Sequence, residues 1–434
     1  MAHAAGNAER GAAWRAVLFI ALASSVAASQ ESAAPPTDVG GARGLPRTWP
    51  TKDWPTGAPA SYGLDPDSLA RFDADLANGK YNLIDGFRVF RCGTEIVARK
   101  YAHDYAHIYE REARTKGPIN ARLTGPYNYF DTAWHPFYHG TDLHTMQSIS
   151  KTVTSIIYGI AITRGDFKAP VNTPILRYFD ATRVKNVDAR KRRITIENLL
   201  MMTSGMTSKE LDVPNESPAN TFTQMEATDD WVQYAIDRPT VHEPGKTFEY
   251  SSADAMLLGH IFRTETGQDI DTYGERYLFA PLGMRHYWKH DYAGNVDTEG
   301  GLYLNEGDLA KIAYLYLNGG AWSGTRIVSE SWVKRSIAPL VPMPETTEKA
   351  LPPYTVFGER VYYGYLWWLV PVNRKFAWMA TGNGGQFLLV FPDKSLIAVF
   401  TGWDLKKEGD VDDLINRLLP AVKSNACPGP ERRN

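Results

Sequence analysis

Apolar residues recur along this chain in two rhythms, and the changes of rhythm mark its parts. Phe87-Arg88-Val89-Phe90-Arg91 and Glu95-Ile96-Val97-Ala98-Arg99-Lys100-Tyr101 alternate around Cys92-Gly93-Thr94, the pattern of a β-hairpin. Ahead of them, Asp65-Pro66 opens a helix through about Ala77, with proline in the first turn where its missing N–H costs nothing. From Ser148 the period becomes helical. One apolar segment ends near Arg164-Gly165, and a second starts on a Thr195 cap and stops at Ser204-Gly205. Residues 228–237, Ser251 to Thr266 and Asp308 to Leu317 are further helical pieces. Strand signals then return over Val361–Val370, Phe376–Thr381, Gln386–Phe391 and Leu396–Thr401, and a last helix runs from about Asp410 to Leu419.

Strands at both ends with helices between them imply an α+β fold, an antiparallel sheet flanked by helices plus an inserted, mostly helical domain. The N-terminal hairpin is expected to join the C-terminal strands in one sheet. The expected parts are residues 62–141 and 331–424 for the sheet domain, 142–330 for the helical domain, and 425–434 as a tail. Residues 104–141 follow neither rhythm. They place Tyr105, Tyr109, Tyr127, Tyr129, Phe130, Trp134, Phe137 and Tyr138 among Gly, Pro and Asn. Such a loop either walls a substrate cleft or packs as an aromatic patch on its own domain.

The N-terminus changes the picture of where the protein works. Arg10 and Arg15 precede an apolar run from Ala16 to Ala28, with small residues around Ala27 to Ser29. Residues 1–29 therefore read as a signal peptide, and the Pro-, Gly- and Ser-rich stretch 30–61 as a linker. The expected location is exported, periplasmic or extracellular, with no membrane anchor once the signal is cleaved. Cys92 and Cys427 are the two cysteines, and in that setting they either pair or stay as free thiols.

Composition removes other classes. At 434 residues, with 43% hydrophobic content and a net charge of −2, the chain suits a packed globule. Nothing marks nucleic acid as a partner. No zinc spacing, P-loop or G-x-S-x-G occurs, so neither metal nor cofactor is implied. His135, His139 and His144 have no clear carboxylate partner in the sequence and read as loop or structural residues.

Candidate chemistry begins at Ser148-Ile149-Ser150-Lys151. Residues i and i+3 share a helix face, so Lys151 can lie beside Ser148 at the head of an apolar helix. Burial there is expected to leave a neutral amine able to take the serine proton, with helix N-terminal N–H groups near a developing oxyanion. A second match, Ser331-Trp332-Val333-Lys334, shows that the motif alone is weak. A proton relay is offered by Tyr250, delivered to a helix start by Pro244-Gly245, with Tyr303 and Tyr316 competing on local pattern; Tyr316, inside an amphipathic helix, reads as core. Ala380-Thr381-Gly382-Asn383-Gly384-Gly385 is a glycine-rich strand end where a substrate backbone could approach, or an ordinary turn.

Taken together, S-x-x-K, a Y-x-[NS] motif at Tyr250-Ser251-Ser252 and a late glycine-rich strand, in this order, resemble the serine β-lactamase and penicillin-binding protein superfamily. The tyrosine motif is similar to that of the class C β-lactamase and esterase branch, including nylon-oligomer hydrolase relatives. The resemblance spans roughly residues 62–424 and implies a β-lactamase/transpeptidase-like fold. It also implies Ser148 as acylated nucleophile, Lys151 as base and Tyr250 as proton shuttle. Main-chain N–H groups of Ser148 and Asn383 would form the oxyanion hole, with Gly382, Thr381 and Ser252 along the substrate.

Two departures narrow the expectation. Ala380 stands where the family's K-T-G triplet has a cation, and Ser252 stands where an Asn is common. Both favour an esterase or amidase acting on a small uncharged or differently shaped substrate. A D-Ala-D-Ala-type peptidase, a weak β-lactamase, or a non-catalytic binding protein on the same fold are the alternatives. No carboxylate base for deacylation is identifiable from the sequence.

Overall fold

The computed structural model describes residues 49–211, 213–344, 355–356, 358–407, 411–425 and 427. The expected signal peptide and most of the linker lie outside them. Helix α1, Pro66–Ala77, starts where Asp65 accepts the N–H of Asp67 and buries Leu69, Phe72 and Leu76. It is followed by the hairpin β1 (Ile84–Arg91) and β2 (Thr94–Lys100).

Helix α2, Ile149–Arg164, is buried on nearly every side from Ile149 to Ala161, as befits a helix apolar all round, and ends on left-handed Gly165. Helix α3 (Ser252–Thr266) starts at Ser251, whose hydroxyl accepts the Asp254 N–H. Helix α4 (Glu306–Leu317) starts at Asn305, whose side chain accepts the Asp308 N–H, and is buried almost throughout.

The later strands are β3 (Val341–Pro342), β4 (Tyr362–Tyr363), β5 (Trp368–Val372), β6 (Lys375–Gly382), β7 (Gln386–Phe391) and β8 (Leu396–Gly402). Among the described residues the main sheet runs β2-β1-β8-β7-β6-β5-β4-β3. Every neighbouring pair in it is antiparallel. The hairpin thus sits beside the last strand, with Phe87 opposite Phe400. Helix α5, Val411–Leu418, closes the described fold.

The core is continuous from sheet to helices, and Val153, Leu257, Leu309 and Leu389 belong to one buried cluster. Cys92 and Cys427, 335 residues apart in sequence, are joined by a disulfide. The 104–141 segment settles between its two expectations. Tyr105, Tyr109 and Tyr129 form a small core with Ile119 and Trp403, and the Tyr109 hydroxyl donates to the Trp403 carbonyl at 2.7 Å. None of its rings lines the main cleft, so the cleft-wall expectation fails: these rings are spent on packing.

Candidate active site

A cleft of about 370 Å³ opens where the start of α2 meets the end of β6. The chain turns into α2 through Gln147, which holds a left-handed φ of 47° that a non-glycine residue adopts at a cost of about 1–3 kcal/mol. The following Ser148 makes no capping hydrogen bond with its side chain. Its hydroxyl is therefore left to accept from Lys151 Nζ at 3.0 Å. Lys151 is 1% exposed and also donates to the Glu299 carbonyl at 2.8 Å and to Glu299 Oε2 at 3.3 Å.

Tyr250 arrives by the predicted route. Gly245 takes φ +80° in the turn, and the Gly245 and Glu249 N–H groups bond the carbonyls of Thr203 and Met202. The Tyr250 ring lies 5.1 Å from Lys151 Nζ and stacks on Trp368 at 5.8 Å. Thr381, Gly382 and Asn383 form the β6 side of the cleft. Gly382 is required there. A Cβ on it would stand 2.4 Å from the Met146 carbonyl oxygen and 2.9 Å from Gln147 Cβ. Behind the turn, Gln386 donates to the Asn383 carbonyl and accepts from the Gly402 N–H at 2.9 Å.

One expectation about Lys151 is overturned. Burial alone lowers its pKa, but Tyr250, Glu299 and Glu210 together raise it above the ordinary lysine value, so the amine is held as ammonium. Burial pushes the Tyr250 phenol upward as well, against the opposing pull of Lys151 and of hydrogen bonds with Ser148. Both shifts are upward, which favours an ammonium beside a protonated phenol over a neutral amine.

Ser252 also departs from expectation. It lines the cleft, but its N–H donates to Glu210 Oε1 at 2.7 Å and its hydroxyl to Oε2 at 2.8 Å. The group it presents is the Glu210 carboxylate, whose pKa burial holds above the ordinary value against the opposing pull of Lys151. Glu210 and Glu299 both line the cleft, two carboxylates that the sequence did not single out. Glu299 sits in the turn Thr298-Glu299-Gly300-Gly301, where Asp297 Oδ1 accepts the N–H groups of Glu299 and Gly300 at 3.2 and 2.9 Å. Burial and Glu299 push the Asp297 carboxyl up to about 7.

The rival candidates lie elsewhere. Tyr303 is buried with its hydroxyl 3.1 Å from His135 Nδ1. Tyr316 is core, 1% exposed. Lys334 pairs with Glu330 on the surface at 2.6 Å, which removes the second S-x-x-K match. His135 bonds the Pro126 carbonyl and His144 bonds Asp85, both structural roles.

A family model described as Beta-lactamase matches residues 129–419. A putative D-alanyl-D-alanine carboxypeptidase of Escherichia coli O157:H7 is 28% identical over 141 residues, covering 22% of this chain and 32% of that protein. One from Salmonella typhimurium is 23% identical over 234 residues, covering 53% and 49%. The chain thus spans about a third to a half of the length of the curated relatives it matches. Among solved structures, a putative 6-aminohexanoate-dimer hydrolase from Bacillus anthracis superposes with a TM-score of 0.60 at 17% identity, covering 87% of this chain and 89% of that one. At that identity the likeness is one of fold.

Proposed function

The chain belongs to the Beta-lactamase family, and from that premise we propose that it is an exported serine hydrolase that cleaves an ester or amide through an acyl-enzyme on Ser148. The observation that carries this is the 3.0 Å hydrogen bond from Lys151 Nζ to Ser148 Oγ at the floor of a cleft that Tyr250 also lines.

Because Lys151 is held as ammonium, it orients the serine oxygen and stabilises negative charge on it. The proton acceptor is the small phenolate fraction of Tyr250 that the adjacent ammonium sustains. Ser148 Oγ attacks the substrate carbonyl and its proton passes to Tyr250. The oxyanion faces the main-chain N–H groups of Ser148 and Asn383. Tyr250 then returns the proton to the leaving alcohol or amine, and water releases the acid from Ser148 by the same route. Neutral substrates are favoured over β-lactams and D-Ala-D-Ala peptides because Ala380 supplies no cation for a carboxylate. The Cys92–Cys427 disulfide supports an oxidising compartment.

The test is intact-protein mass after a fluorophosphonate probe. One adduct is expected on wild type and none on Ser148→Ala. An adduct that persists on the alanine variant sinks the assignment.

A further inference from the structure

We propose that the cleft selects substrates carrying a fixed or protonated cationic group, and that Glu210 makes the selection. The proposal rests on the hydrolase reading above for its substrate chemistry. Among the described residues, the charged side chains lining the cleft are Glu210 and Glu299. The neighbouring cation, Lys151, is already engaged by Ser148 and by the Glu299 carbonyl and Oε2. Among the described residues, two carboxylates against one ammonium leave an excess of negative charge in a partly enclosed site.

Neither carboxylate is fully compensated. Glu299 is 2% exposed, and its Oε1 has no hydrogen-bond partner among the described residues. Such a buried acceptor is costly until something donates to it. Glu210 forms no ion pair among the described residues; its partners are the N–H and hydroxyl of Ser252, both neutral donors. Ser252 fixes the carboxylate in place, and Asn220 Nδ2 holds the loop beneath it through the carbonyls of Glu210 and Val213 at 3.2 and 2.9 Å. A preorganised anion pays no ordering cost when a cation arrives. Met379, Phe387 and Phe222 supply apolar walls for the stem that carries the cation. A substrate carboxylate meets like charge here, which costs affinity.

The test is a matched pair of p-nitrophenyl esters, one acyl chain ending in trimethylammonium and its isostere ending in tert-butyl. Wild type is expected to favour the cationic ester about tenfold in kcat/KM, equivalent to about 1.4 kcal/mol. Glu210→Gln should bring the ratio to about one, Glu210→Asp should keep it above one, and added salt should shrink it. Equal rates in wild type, or a preference that survives Glu210→Gln, overturn the proposal. If the variants do not fold, the wild-type ratio decides alone. Calorimetric binding of the matched N-methyl amides reads the same preference without turnover. An inert protein that still binds the cationic amide tenfold tighter refutes the hydrolase reading and upholds the selection. A protein that hydrolyses both esters equally does the reverse.

Discussion

Replacing Gly382 by alanine probes the joint between the proposed nucleophile and the proposed oxyanion strand with a single methyl group. The new Cβ would meet the Met146 carbonyl oxygen at 2.4 Å, and real Cβ contacts essentially never fall below 3.0 Å. The strand and the entry to α2 must therefore separate by at least about 0.6 Å, since both sides of the contact are close to backbone. Gln147 Cβ, at 2.9 Å, blocks the simplest sideways escape. Overpacking of this kind costs about 1–3 kcal/mol of stability, which a fold of this size survives. The larger effect is on chemistry. A misplacement approaching 1 Å costs about 100-fold, and loss of one oxyanion donor costs about 100- to 1,000-fold in kcat. Gly382→Ala is expected to lower kcat for a p-nitrophenyl ester by about 10- to 100-fold, while circular dichroism shows a folded protein. Slow labelling of Ser148 by the fluorophosphonate probe should accompany the loss. A folded variant with wild-type kcat would refute the placement of the oxyanion site at this joint.

Two further outcomes follow from the charge states. Lys151 and Tyr250 are both shifted upward, so the phenolate of Tyr250 that accepts the serine proton in the proposed mechanism is a minor species at neutral pH. Ester kcat/KM should rise as pH climbs above neutrality, and Tyr250→Phe should abolish that rise and lower the rate by about 100- to 10,000-fold; a Phe variant with the same alkaline limb would exclude Tyr250 as the base. Asp297 is raised to about 7 from 3.8, so its contribution to stability is complete below the unfolded value and lost as pH rises through the folded one. Between about pH 5 and pH 8, Tm of wild type should fall more than that of Asp297→Asn, and parallel slopes would contradict the assigned shift.

Much of the fold was legible because its signals are local. The first turn of α1, the hairpin around Cys92 and the glycine stop of α2 each depend on residues within one turn or one strand. Ser148 and Lys151 were legible for the same reason, since a three-residue spacing on a helix fixes their proximity. Glu210 and Glu299 were not. Glu210 reaches Ser252 across 42 residues and Glu299 reaches Lys151 across 148, and a single carboxylate in a loop has no period to betray it. Missing them also inverted the expected charge of Lys151: its burial could be inferred from the apolar helix, but the anions that oppose burial could not. The aromatic segment failed differently, because rings that pack on Trp403 and rings that line a cleft have the same sequence appearance.

The two sides of the cleft are built with unequal freedom. On one side, backbone presses on backbone at Gly382 and Met146, and no substitution enlarges that contact without disturbing the reacting atoms. On the other, Glu210 and Val213 are moored by the amide of Asn220, which also bonds the Asn215 side chain, and Ser252 grips one carboxylate. On the proposed reading, descendants of this chain can therefore exchange the mooring loop, and with it what they accept, while inheriting the proposed proton machinery intact. Divergence in such a lineage should accumulate between residues 210 and 220 long before it reaches residue 382.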